Sequence, residues 1–183
     1  MPLLVNYITP FLYFLLGCYF LRIRNKKEEV FLSSHFIVAF FLIKCLAGFL
    51  YTWTSFHFFP EHGDIWESFS HSLKMYHAFS QSPGRFLKDY YSFITSNNTN
   101  LFDADTGFTQ NSYIIIDLFQ FTLNFLSVRN LYTNTIIFNF ISVLSVFRLW
   151  KFFKQFYGEN YLFAAIALLF FPSLLFYSSG IFK

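Results

Sequence analysis

Asp64 is the side chain on which chemistry could most readily be built. It stands in the run Glu61-His62-Gly63-Asp64-Ile65-Trp66-Glu67, which is dense in groups that move protons. A carboxylate held beside a nucleophilic hydroxyl is a competent general base. The same aspartate, followed three residues on by Glu67, also fits a capping box at a helix start. The two roles are compatible, because a carboxylate at a helix start is well held and keeps lone pairs free. His57, His62, Asp64, Glu67 and His71 are potential metal ligands, and Glu67 and His71 share a helical face, but no tight zinc motif is present. Surface histidines are the ordinary case in such a loop. Asp103-Ala104-Asp105 has the form of an Asp-x-Asp clamp in a stretch that reads as a turn. Arg129 could grip a headgroup phosphate or a lipid-linked substrate phosphate, or could serve as an interfacial anchor. Asn97-Asn98-Thr99 fits a glycosylation sequon. There is no Walker loop, dinucleotide fingerprint or nucleophile elbow.

These residues need a scaffold, and composition restricts which one. The chain has 183 residues, of which 55% are hydrophobic and only 13% charged, so it cannot stay unfolded in water. Only two cysteines, Cys18 and Cys45, are present, and both lie in apolar runs. A disulfide-stapled secreted domain is therefore excluded. A net charge of +3 is too small to argue for nucleic acid. The expected fold is all-α: a polytopic membrane protein with about four transmembrane helices and a large external loop of amphipathic juxtamembrane helices.

Four charge-poor stretches reach the roughly 20 residues that a helix needs to cross a bilayer. They run from Leu3 to Leu21, Val30 to Tyr51, Asn130 to Trp150 and Tyr161 to Ser179, with Lys44 inside the second and a kinking Pro172 inside the fourth. The positive charge follows the first apolar run instead of preceding it, which reads as a retained helix and not a signal peptide. Arg22, Arg24, Lys26 and Lys27 after the first span, and Arg148, Lys151 and Lys154 after the third, belong on one side, the cytoplasm. That leaves residues 52–129 as an external loop. Residues 1–29 form an extra helix with its basic loop, and residues 30–183 the main membrane region.

Within the external loop, Ile65, Phe69, Leu73, Tyr76 and Phe79 recur at intervals of three and four and predict an amphipathic helix. Glu67, His71, Lys74 and His77 fall on its other face. Ser82-Pro83-Gly84 breaks it, and a second short helix follows over Arg85 to Ile94. Tyr113 to Val128 carries Asp117, Gln120, Asn124 and Ser127 on one helical stripe. At about 16 residues it is short for a span, and one polar stripe suits a helix lying at the membrane interface.

The order of parts resembles the amino-terminal region of the GT-C superfamily of membrane glycosyltransferases, over about Val30 to Lys183. A span reaches the outer face and Gly63-Asp64 follows, then surface helices. Arg129 precedes a span with a basic end, and the last span closes in Phe171-Pro172-Ser173-Leu174-Leu175-Phe176-Tyr177-Ser178-Ser179-Gly180. The resemblance implies transfer of a sugar from a polyprenyl-phosphate donor to an acceptor at the outer face of a bacterial inner membrane. It implies Asp64 as the base. Arg129, Glu67 and His62 are the expected substrate-binding residues. The leaving phosphate needs a cation, so a divalent metal ion is the one cofactor in view; no residue is assigned as its ligand. Family members are several-fold longer, which implies that this chain is the front part of such an enzyme, completed by further membrane segments or a subunit. The alternative is a non-catalytic membrane subunit whose external loop binds a partner or lipid. A transporter fragment ranks below both, since only Lys44 and Pro172 have the character of transport residues.

Overall fold

The computed structural model describes residues 3–27, 34–58, 64–95 and 114–157, and every regular element among them is a helix. These are α1 (Leu3–Lys27), α2 (Ser34–Phe58), α3 (Asp64–Gln81), α4 (Pro83–Thr95), α5 (Ile114–Leu126) and α6 (Leu131–Tyr157). Two stretches, His35–Phe58 and Leu131–Leu149, are long and apolar enough to cross a bilayer. The expected fourth span, with Pro172, lies outside the described residues, as do His62, Asn97, Asp103 and Asp105.

The helices match the expected segments with shifted bounds: α1, α2, α4 and α6 run past their expected ends, and α5 stops two residues short of Val128. α2 continues to Phe58, seven residues past the expected end of its span, because nothing in Thr52-Trp53-Thr54-Ser55-Phe56-His57-Phe58 stops a helix. Thr52 and Thr54 bond back to the carbonyls of Gly48 and Tyr51, so their hydroxyls do not compete with it. Pro60, which disfavours helical geometry in the residue before it, comes only afterwards. α6 likewise runs through Lys151 and Lys154 to Tyr157, just before Gly158.

α1, α2 and α6 form one bundle. Phe41 lies between Phe14 and Phe140, with ring centroids 5.4 and 6.2 Å away. Tyr7, Trp53 and Tyr132 meet at one end, and Arg24, Ile37 and Arg148 at the other. This register makes α1 and α6 parallel, with α2 antiparallel to both. The basic residues expected on one side of the membrane thus stand at the same end of the bundle. Gly17 gives Phe41 its place: a Cβ at position 17 would lie 2.8 Å from the ring. Lys44, the charge inside α2, turns inward and is buried, its ammonium 5.9 Å from the Phe40 ring.

α3, α4 and α5 form a second layer at the opposite end from Arg24 and Arg148. α3 packs mainly on α5, α4 folds back on α3, and α5 touches α6. Phe79, Phe86, Phe121 and Phe125 interlock where α3, α4 and α5 meet. Phe56 of α2 meets Trp66 of α3 at 5.2 Å, which ties the first turn of α3 to the end of α2.

Candidate functional site

The polar stripe of α5 is real, but it does not face a membrane interface or water. Asp117, Gln120, Asn124 and Ser127 are all essentially inaccessible to solvent. Asp117, Gln120 and Asn124 meet Ser68 and Ser72 of α3 and Asn134 of α6, which are buried too, whereas Ser127 Oγ and Gln120 Nε2 are buried without a hydrogen-bond partner among the described residues. The Ser68 hydroxyl donates to Asp117. Asn124 donates through Nδ2 to Ser72 Oγ at 3.0 Å, and Asn134 donates to Asn124 Oδ1 at 3.0 Å. Ser72 Oγ lies 2.7 Å from the Phe69 carbonyl and 3.3 Å from Gln120 Oε1, and its single proton serves one of them at a time. The physical reason for the inward turn is pairing: a matching row of small hydroxyls, Ser68 and Ser72, stands one turn apart on α3. The apolar face expected for α3, with Ile65, Phe69, Leu73, Tyr76 and Phe79, does not include that row.

One member of this seam has chemical character beyond packing. Asp117 Oδ2 lies 3.6 Å from Nδ1 of His71, whose side chain is 12% exposed. The separation is an ion-pair distance, longer than a hydrogen bond, so the contact sets a charge beside the imidazole without fixing its ring. The sequence named both residues, but in separate roles: His71 as a weak metal candidate and Asp117 as part of a stripe.

Asp64 is the first residue of α3, as the capping pattern predicts, and Glu67 is exposed one turn further on. The Phe56–Trp66 contact holds this first turn beside the end of α2. There His57 packs against Trp53 with ring centroids 4.4 Å apart and planes tilted by 34°, and its Nδ1–H donates to the Trp53 carbonyl at 3.1 Å. This leaves Nε2 as the outward-facing edge of the ring.

Arg129 is elsewhere. Its guanidinium lies over the ring of Tyr76, 5.6 Å from the centroid. From position 64 to position 76 α3 advances about 18 Å. Asp64 and Arg129 therefore stand by different ends of α3, and the structure does not bring them together. Val128 and Arg129 both have left-handed backbones, with φ of 56° and 60°. Without a glycine to end α5, two side-chain-bearing residues take that conformation at a cost of about 1–3 kcal/mol each. The turn is held by Tyr13, whose hydroxyl donates to the Leu126 carbonyl, and by Asn130, whose side chain caps α6 at the Thr133 N–H.

An apolar groove of about 550 Å³ runs between α1, α2 and α6. Tyr7, Trp53 and Tyr132 stand at its end away from Arg24 and Arg148, with Phe11, Phe49 and Leu46 further along it. Trp53 is thus shared between the groove and the stack that carries His57. No group of three histidine, cysteine or acidic side chains placed to hold a metal ion occurs among the described residues.

No protein family matches this chain. No curated protein or solved structure is detectably similar to it either.

Proposed function

We propose that this protein is a membrane glycosyltransferase, or the amino-terminal part of one. It crosses a bacterial inner membrane several times and transfers a sugar from a polyprenyl-phosphate-linked donor to an acceptor at the outer face. The observation that carries this reading is the position of Asp64: it opens a helix whose first turn is pinned by Phe56–Trp66 to the outer end of α2. Beside that end, Trp53 lines an apolar groove of about 550 Å³. A donor lipid lying in the groove would bring its phosphate up at Trp53 and His57, next to the start of α3.

In this arrangement Asp64 takes the proton from the acceptor as it attacks the sugar, and the bond to the lipid phosphate breaks. A divalent cation would stabilise the departing phosphate. Glu67 and His62 flank Asp64 in sequence and are assigned to the acceptor or sugar hydroxyls. Arg129, about 18 Å along α3, is left outside this centre. The reading rests also on the order of parts in the sequence, from Gly63-Asp64 to the Pro172-containing end.

The test is sugar transfer by the full-length protein in vesicles carrying a radiolabelled polyprenyl-phosphate sugar. Asp64→Asn is expected to lower turnover by about 10²–10⁴-fold while the protein stays folded. Unchanged turnover would remove Asp64 from the mechanism. The second reading, a non-catalytic membrane subunit, draws on Leu87 and Tyr91, which are 58% and 71% exposed one turn apart on α4 and could meet a partner.

A further inference from the structure

At the end of the bundle far from Asp64, a cavity of about 320 Å³ opens between α1 and α2, lined by Cys18, Tyr19, Arg22, His35 and Val38. Its composition is divided. Cys18, Val38 and the ring of Tyr19 supply an apolar wall, whereas Arg22 and His35 supply hydrogen-bond donors. Among the described residues, no acidic side chain lines it. His35 is the second residue of α2, so the cavity also lies beside the amino-terminal end of a 25-residue helix, where negative charge is favoured. Arg24 and Arg148 line a separate crevice with Leu21, Ile37 and Phe147, so the positive charge continues around this end of the bundle.

We propose that this cavity binds the phosphodiester headgroup of an anionic membrane phospholipid. Arg22 offers a fork of N–H donors that matches two phosphate oxygens, and His35 offers a further N–H. The acyl chains then leave along the apolar wall of Cys18 and Val38 into the bilayer. A free anion would gain from the donors but not from the apolar wall, so the cavity suits a lipid better than inorganic phosphate. The proposal rests on α1 and α2 being membrane helices, but not on any enzymatic activity. A protein without transferase activity would still show it.

The experiment places the full chain in phosphatidylcholine bilayers containing a minority of phosphatidylglycerol. After gentle detergent extraction, the lipids that stay with the protein are counted by mass spectrometry. Phosphatidylglycerol is expected to be enriched about fivefold or more over its bulk fraction. The double variant Arg22→Gln/His35→Gln should lose that enrichment, and Val38→Trp, which fills the cavity without changing charge, should lose it too. Arg24→Gln, outside the cavity, should keep it. Enrichment that survives both cavity variants would overturn the proposal. So would an equal loss in Arg24→Gln, which would mean a diffuse charge effect. Displacement of the lipid by an equal concentration of inorganic phosphate would instead identify a site for free anions and overturn the lipid assignment.

Discussion

Where α1, α2 and α6 meet, the buried side chains include Leu21, Ile37, Phe41, Ile136 and Val143; where α3 meets α5, they include Ser68, Ser72, Asp117, Gln120 and Asn124. The two interfaces solve different problems. The bundle depends on shape, above all on the fit of the Phe41 ring over Gly17. Shape of this kind tolerates rotation poorly but sliding rather better. The seam depends on donors meeting acceptors, and turning α5 by one residue would carry every partner away by about 100°. It therefore fixes the rotation of the outer layer. Since α3 carries Asp64, the seam also determines how the proposed base is presented.

The largest effect should come from breaking the seam at its most connected point. Asp117→Ala leaves Ser68 without its acceptor and His71 without its counterpart, and should destabilise the protein by about 3 kcal/mol. Asp117→Asn keeps an acceptor for Ser68 and should cost clearly less. Denaturant unfolding in a mild detergent would show both. Equal tolerance of the two substitutions would mean that Asp117 contributes little to the seam.

The bundle should break through volume. Gly17→Ala drives a methyl group toward a Phe41 ring that Phe14 and Phe140 hold from either side, with an expected loss of about 1–3 kcal/mol. Pairing it with Phe41→Leu should recover part of the loss, as a steric conflict requires. The smallest effect has the opposite sign. Gly84, in the first turn of α4, has open space around its Cβ position. Gly84→Ala should raise stability by about 0.5 kcal/mol through the unfolded chain alone. The same Gly→Ala change thus sharpens the contrast between a packed bundle and an exposed outer helix.

Much of this architecture could be read from the residues. The 3–4 spacing of Phe69, Leu73, Tyr76 and Phe79 announced α3, Ser82-Pro83 its end, and the stripe on α5 was visible as a row. What the row faced was not visible. A polar stripe looks the same whether it meets water or another polar stripe, and only the position of Ser68 and Ser72 across from it decides. The serines give no signal of their own, because they fall beside an apolar face of Phe69, Leu73, Tyr76 and Phe79 that already accounts for a buried side of α3. The turn at Val128–Arg129 was hidden for a similar reason: left-handed geometry is signalled by glycine or asparagine, and here neither stands at those positions. Arg129 drew attention as a cation before a span, whereas its distance from Asp64 follows from the parallel packing of α3 on α5.

The buried seam is tested most directly on α3 by two near-isosteric substitutions, Ser70→Cys and Ser72→Cys, in a background lacking Cys18 and Cys45. Ser70 is exposed and Ser72 fully buried, although only one residue separates them. Reaction with a membrane-impermeant maleimide in intact vesicles should label Cys at position 70 rapidly and leave position 72 protected until the protein is unfolded. Equal labelling at both positions would mean that α3 and α5 do not close on each other, and the account of the outer layer would fall.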